Sequence, residues 1–344
     1  MSTASTTPAP SPPKKRSLLQ RLQEWGVIIA LVATVAGWLG DLWWVFDLGN
    51  HFRIQYVLLL AVLLVTTLLS RRWVAAFFVV VGLTLNGIMV APLFTPPVEN
   101  VVLSADKPPL HVLSFNVYTG NQRVEEVVRY IGQSGADIVL VQEIDDRWAA
   151  GLRGGLDGYS LVFAMPRDDN FGIGLLVRRG AVAGDHAPLV MNLVRDLDVS
   201  DGVAQVPTIE FAGKWRGRPF ALLGLHTLPP VREGTARDRD AQLAGAAIWA
   251  NRHRKNGLPA IIIGDLNATP WCVPFRHMIA DGNLVNSMDG RGMQGTFHAR
   301  VPGVLRIPID HCLHTRELQV LRRVVGDDGY GSDHLPVEAW IDWK

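Results

Sequence analysis

The chain has 344 residues, 48% of them hydrophobic, and a net charge of +1, which makes it too long for one small domain and too short for three. Its two cysteines, Cys272 and Cys312, exclude a disulfide scaffold and a cysteine zinc cluster and are expected as two separate thiols. Residues 1–104 hold 7 Lys/Arg and 4 Asp/Glu and residues 105–344 hold 26 and 28, a net of −2, so the second part lacks the basic footprint of a protein that grips nucleic acid nonspecifically.

Residues 1–13 are small, polar and Pro-rich and cannot bury enough apolar surface to order themselves. With Lys14, Lys15, Arg16 and Arg21 they predict a disordered, basic, cytoplasmic tail over 1–25. Three apolar runs follow, Val27 to Phe46, Ile54 to Leu69 and Trp73 to Phe94. Each is near the roughly 20 residues that cross a hydrocarbon core as helix, which predicts a three-helix transmembrane anchor over 26–94. A cleaved signal peptide would account for only the first run.

Lys/Arg placement sets the orientation. Lys14–Arg16 and Arg21 precede the first span and Arg71–Arg72 fill the second connection, while the first connection has Asp41, Asp47 and only Arg53. The N-terminus is therefore expected inside and everything after Phe94 outside, with Trp43 and Trp44 in an outer aromatic belt. This gives a multi-pass plasma-membrane protein whose second part is extracytoplasmic. Residues 95–109 are expected as a linker and 110–344 as the catalytic domain.

Within 110–344 the predicted strands are Leu110–Val117, Asp137–Val141, Gly172–Arg178, Val203–Phe211, Pro219–His226, Pro259–Ile263, Leu305–Leu313 and Val337–Ile341. Helices are predicted over Val124–Ser134 and over 233–254, the second with Ala241, Ala244, Ile248 and Trp249 on one face. Strands mixed with helices at these lengths indicate an α/β layered domain.

Eight polar residues stand at or just past the ends of apolar runs: Asn116, Glu143, His226, Asp265, Asn267, Asp310, Asp333 and His334. Singly, each has an ordinary structural use as a cap, turn or buried histidine. Together they are the groups a rigid scaffold offers to chemistry at strand ends. There is no suitable thiol nucleophile, no Gly-x-Ser-x-Gly and no His-Glu-x-x-His. Carboxylates with amides select a hard, oxygen-loving cation such as magnesium, which polarises a phosphoryl oxygen. An Asp beside a His fixes its tautomer and stabilises its cation, and an Asp within reach of water serves as general base. The inventory points to hydrolysis of a phosphate ester or anhydride by direct attack of water.

The segments LSFNVYTGN (113–121), DIVLVQEI (137–144), LLGLHTLPP (222–230), IIIGDLNATP (261–270), GTFH (295–298), PIDHCL (308–313) and GSDHLPV (331–337) together resemble, in order, the endonuclease/exonuclease/phosphatase (DNase I-like) superfamily. The resemblance covers roughly residues 110–343 and implies a four-layer α/β sandwich, two packed mixed sheets flanked by helices. It implies that Glu143 binds the metal, with Asn116 beside it as ligand or orienter, and that Asp265 positions or deprotonates water. It further implies that Asn267 holds a phosphate oxygen, that His226 contacts the phosphate or protonates the leaving group, and that His334 stabilises the transition state. Asp310 or Asp333 would orient the imidazole or the metal. The choice of base, Asp265 or the Asp/His334 pair, stays open, as does one metal or two.

With three preceding spans, the chain resembles bacterial membrane members linked to teicoplanin resistance. This implies a magnesium-dependent (or manganese-dependent) phosphoesterase acting on a phosphorylated, lipid-linked substrate at the bilayer. The alternatives are an extracytoplasmic nuclease acting on nucleic acid and a non-catalytic binding module.

Overall fold

The structure is a computed structural model that describes residues 17–95, 108–183, 189–190 and 206–344. It begins with helix α1 (Leu18–Trp38), a short α2 (Trp44–Leu48), α3 (Arg53–Leu69) and α4 (Trp73–Val90). By length and composition, three helical stretches are apolar enough to cross a membrane: Leu18–Trp38, Trp44–Leu69 and Trp73–Phe94. The first differs from its expected bounds. It starts at Leu18, inside the stretch expected to be a tail, because Ser17 and Gln20 form a reciprocal capping box. It stops at Trp38, and the chain turns before α2 instead of running on to Phe46. Most of the expected linker, 96–107, lies outside the described residues.

The second part holds β1 (Leu110–Asn116), α5 (Val124–Ser134), β2 (Ile138–Gln142), α6 (Asp146–Gly155), β3 (Tyr159–Met165), β4 (Ile173–Arg178), β5 (Leu189–Val190), β6 (Ile209–Trp215), β7 (Arg218–His226), α7 (Glu233–Lys255), β8 (Ala260–Asp265), α8 (Val273–Asp281), β9 (Leu284–Asn286), β10 (Asp310–Thr315), β11 (Leu318–Val325) and β12 (Val337–Trp343). Two six-stranded mixed sheets form, in the orders β11-β12-β1-β2-β4-β3 and β5-β6-β7-β8-β10-β9.

The layers follow from the period of two along each strand. In β1, Leu110 and Val112 face the core between the sheets, while Leu113 and Phe115 pack outward with α5 and α6. In β8, Ile261 and Ile263 face inward and Ala260 and Ile262 pack against α7 and α8. The result is helix on sheet on sheet on helix, the four-layer sandwich expected.

Three expectations shift. The strand expected over Val203–Phe211 is seen at Ile209–Trp215, and part of the expected range is outside the described residues. The strand expected over Leu305–Leu313 begins only at Asp310, because 303–305 form a 3-10 turn. The face of α7 expected to pack is largely the wrong one: Ile248 and Ala244 are exposed, and Leu243, Ala246, Ala247 and Ala250 join Trp249 in the core. Small side chains let this helix approach the sheet closely, so bulk was a poor guide to the buried face. Cys272 belongs to the outer core and Cys312 to the inter-sheet core, and both are free and buried.

The apolar helices and the sandwich are packed together. Ile54, Val90 and Leu93 share a buried cluster with Trp271 and Met288. Gly290 and Gly292 donate backbone hydrogen bonds to Pro92 and Leu93 at 2.9 and 2.7 Å. Asp47 accepts from the Val273 amide at the start of α8 (2.8 Å) and pairs with the buried Arg239 of α7 at 3.3 Å.

Candidate active site

The same periodicity that builds the core aims the polar residues. Asn116 continues the inward face of Leu110, Val112 and Ser114; His226 continues that of Phe220 and Leu222; Asp265 follows Ile261 and Ile263; Asp310 precedes Cys312. Strand direction brings these ends to one edge. β1 runs parallel to β2, and β7 to β8, so Asn116 ends beside Gln142 and His226 beside Asp265. β10 is antiparallel to β8, which puts its first residue, Asp310, opposite Asp265. β12 is antiparallel to β1, which brings the preceding His334 to the same edge. The Asn116 side chain bridges the sheets: its Nδ2 donates to Glu143 Oε1 (2.8 Å) and to Asp265 Oδ2 (3.3 Å).

Backbone conformation serves the same geometry. Gly264 has φ +141°, and a Cβ there would lie 1.8 Å from the Leu225 carbonyl oxygen, so only glycine lets β8 place Asp265 there. Glu143 itself has φ +60°, a strained region for a residue with a side chain. Thr119 anchors it by donating from Oγ1 to the Glu143 carbonyl at 3.1 Å.

At the centre, His334 Nδ1 lies 2.9 Å from Asp310 Oδ2 and its Nε2 lies 3.7 Å from Asp265 Oδ2. His226 Nε2 lies 3.6 Å from the same Asp265 oxygen. Burial works against the His334 imidazolium, but the Asp310 and Asp265 carboxylates push its pKa up to about 10. Burial, then the positive His334, lowers His226 to about 3, so it is a neutral imidazole. Burial and the Asp310 charge raise Asp265 to about 7. Asp310 itself is held below the usual range: burial opposes this, and the charge and hydrogen bond of His334 outweigh it. Of the two acids expected to orient the imidazole, Asp310 does so.

Asp333 takes a different place. Its backbone carbonyl accepts from Ala299 (2.7 Å), and its Oδ1 is buried without a hydrogen-bond partner. Burial raises the Glu143 pKa, and the Asp333 charge adds to the rise. Two carboxylates that repel one another, one with an orphaned oxygen, are a donor set that fits a hard divalent cation. Asn116 accepts from the Tyr118 amide through Oδ1 (3.1 Å) while donating through Nδ2, a geometry that suits an orienter better than a ligand. Ligand atoms of Asp265, Asp310 and His334 also lie within 4.8 Å of one another, but there the His334 imidazolium already pairs with Asp310.

Asn267 has φ +44° and donates from its backbone to Asp265 Oδ1 (2.9 Å) and from Nδ2 to the Thr227 carbonyl (2.8 Å). The structure thus brings all eight expected residues to one edge.

Several supports were not anticipated. Ser332 donates to the Asn116 carbonyl (2.7 Å) and accepts from the His334 amide (3.0 Å); its place in Gly-Ser-Asp-His was the available signal. The Phe297 ring packs 4.9 Å from His334. Arg239, mid-helix and without a motif, reaches the Asn267 carbonyl at 3.4 Å. A cleft of about 520 Å³, lined by Tyr118, Arg123, Arg300 and Ser332 among others, opens beside the site.

A two-sheet sandwich with this edge of acids, amides and imidazoles defines a metal-dependent phosphoric ester or anhydride hydrolase. The sequence model of the Endonuclease/Exonuclease/phosphatase family matches residues 113–334, more than half of the chain, and the chain belongs to that family. Solved structures share the fold. The chain is similar to a Bacteroides thetaiotaomicron mannosyl-6-phosphatase at 21% identity and TM-score 0.56, covering 68% of this chain and 100% of that one. It is similar to a functionally unknown conserved protein from Enterococcus faecalis V583 at 18% identity and TM-score 0.55, with 68% and 100% covered. It is also similar to D. rerio TDP2 complexed with a single-strand DNA product, at 16% identity and TM-score 0.53, with 68% and 98% covered. No curated protein matches the chain significantly.

Proposed function

We propose that this protein is a membrane-anchored, magnesium-dependent phosphoesterase that hydrolyses a lipid-linked phosphate ester or pyrophosphate on the outer side of the plasma membrane. The observation that carries this is the packing of the sandwich onto the apolar helices through Asp47, Arg239, Trp271 and Leu93. A site fixed beside the bilayer gains effective concentration for membrane substrates and nothing for soluble ones. The orientation draws on the basic residues at one end of the helices. Arg53, the single basic residue of the other connection, is fully buried and donates to Asn86 (3.0 Å) and Asn50 (2.9 Å), so it is not a free topological charge.

Glu143 and Asp333 would hold the cation, which supplies polarisation of a phosphoryl oxygen when bound. Asn116 orients Glu143 and Asp265. Asp265, with a pKa near neutrality, takes the proton of the attacking water. The Asp310–His334 pair presents a fixed positive charge to the phosphoryl oxygens. Neutral His226 and the second amide N–H of Asn267 donate hydrogen bonds to the same group.

A second reading, a nuclease, has the likeness to D. rerio TDP2 with its DNA product in its favour, and the net charge of −2 over residues 105–344 against it. Purified full-length protein in vesicles, assayed with magnesium on a lipid pyrophosphate, a phospholipid and plasmid DNA, separates them. We expect phosphate release from the lipid substrates. Cleavage of DNA alone would overturn the proposal.

A further inference from the structure

Outside the anchor, the large hydrophobic residues that are exposed among the described residues are Val231, Ile248, Val304 and Leu305. Scattered exposed apolar side chains are ordinary. Three of these four are not scattered, because they tip two loops that begin at the active site.

The first loop leaves β7 at His226 and reaches Val231, which is 76% exposed, just before α7. The first turns of α7, at Glu233 and Arg237, line one cleft with Gly40, Leu42 and Trp43, the residues that join α1 to α2. The second loop starts at Phe297, packed on His334, and is tied to Asp333 through the Ala299 amide. It ends in the 3-10 turn carrying Val304 and Leu305, 53% and 54% exposed. There the Gln55 side chain donates to the Val304 carbonyl at 3.1 Å and to the Arg306 carbonyl at 3.3 Å. Gln55 is the third residue of α3. One turn further along that apolar helix, Leu58 and Leu59 face outward. The turn therefore sits at the head of a membrane-length helix, level with its first turn.

We propose that Val231 and the Val304–Leu305 turn enter the outer leaflet, so that the catalytic edge opens onto the bilayer surface between them. The occupant of this surface is the lipid in which the protein's own helices sit, since the Val304–Leu305 turn is held at the head of α3 and the Val231 loop leads into α7, whose first turns share a cleft with the α1–α2 connection. Exposed Arg232 and Arg300 flank the two tips, and arginines at such a boundary keep their charge among headgroups while their stems stay apolar. A lipid headgroup phosphate would then reach His226 and His334 without its acyl chains leaving the membrane. The inference rests on the membrane anchoring proposed above, but not on which lipid is cleaved.

The test uses full-length protein in phosphatidylcholine/phosphatidylglycerol vesicles. Cys272 and Cys312 are buried, so an environment-sensitive thiol fluorophore reports on an introduced cysteine. Leu305→Cys and Val231→Cys should be quenched by lipids spin-labelled near the headgroup. Arg316→Cys, exposed in the turn between β10 and β11, should not. Leu59→Cys, on the outer face of α3, should be quenched by deep labels. Quenching at Leu59 with Leu305 and Val231 no different from Arg316 would overturn this inference and leave the anchor standing. No quenching at Leu59 would overturn both. In the functional arm, Val304→Asp/Leu305→Asp should lower turnover of vesicle-borne lipid phosphate about tenfold, equivalent to about 1.4 kcal/mol. Hydrolysis of soluble bis(p-nitrophenyl) phosphate should be unchanged. Unchanged lipid turnover, or equal loss on both substrates, would count against the proposal.

Discussion

Asp47 lies in the short α2, at the head of the second apolar stretch, yet its carboxylate is bound by residues of the sandwich. Oδ1 accepts from the Val273 amide and from Asn50 Nδ2, both at 2.8 Å, and Oδ2 pairs with Arg239 at 3.3 Å. Arg239 is 1% exposed. Its remaining partners are Asp240 at 2.8 Å, a half-exposed carboxylate, and the Asn267 carbonyl at 3.4 Å. Asp47→Ala would leave that guanidinium under-compensated. Removing one member of a buried ion pair costs about 3–5 kcal/mol, and losing a helix cap adds about 1 kcal/mol. Asp240 retains part of the compensation, so a loss of about 3 kcal/mol is expected. At about 2–4 °C per kcal/mol for a domain of this size, that is a fall in Tm of roughly 10 °C. Thermal unfolding of the full-length protein in detergent measures it. Asp47→Asn keeps an acceptor for Val273 but not the charge, and should fall between. Asp47→Leu/Arg239→Met removes both charges together and should recover part of the loss. A stability change for Asp47→Ala within about 0.5 kcal/mol of wild type, the range of ordinary surface substitutions, would refute the reasoning.

Other expectations follow from the site and the core. EDTA should abolish activity and magnesium or manganese restore it, and Glu143→Gln should lose turnover while staying folded; full activity in chelator would remove the metal from the chemistry. Asp265→Asn and His334→Ala should each lower kcat by orders of magnitude, and the double variant should be far less impaired than the product of the two, as groups acting on one transition state are non-additive; steady-state kinetics beside melting curves checks this. For Glu338, burial favours the neutral acid, but hydrogen bonds from His111 (2.8 Å) and Tyr130 (2.7 Å) hold its pKa below the usual range. Its stabilisation is therefore present above the unfolded value of about 4.3 and lost as pH falls through the lower folded value. Glu338→Gln should flatten the acid limb of the stability curve, read by denaturant titration between neutral and acid pH. A C-terminal alkaline-phosphatase fusion should be active and a green-fluorescent one dark; the reverse would invert the topology.

The strand ends were legible because their polar residues interrupt apolar runs at the period that defines a strand. Asn116, His226 and Asp265 could be picked out from LSFN, LLGLH and IIIGD without any coordinates. What the sequence could not show is which acid faces which imidazole. Asp333 adjoins His334 in the sequence and Asp310 stands far upstream, and only the folding of β10 against β8 brings Asp310 to the His334 Nδ1. The strands β3 and β11 and the helices α6 and α8 were not singled out. β3 and β11 lie at the open edges of one sheet, where half-buried residues blur the alternation. The short α8 is fixed by Asp47 from a distant segment, a constraint no local window contains. The buried face of α7 misled for a related reason: close packing on a sheet selects alanine and glycine, which carry little hydropathy signal.

The charges at the catalytic edge do not balance by themselves. Glu143, Asp265, Asp310 and Asp333 bring four carboxylates together, and among the described residues His334 is the cation in direct ion-pair contact with them, since His226 is neutral. Burying like charges raises the affinity for protons, which is what Asp265 and Glu143 display. The His334–Asp310 contact offsets one of these negative charges, at the end of the site formed by β8 and β10. At the other end, Glu143 just past β2 and Asp333 before β12 form no ion pair with a cationic side chain among the described residues. A divalent cation there would offset the burial that raises the Glu143 pKa and, through Asn116, would be felt at Asp265. The proposed base and the acids proposed to hold the cation are thus linked by one amide that spans the two sheets, so any change that shifts the sheets against each other alters both.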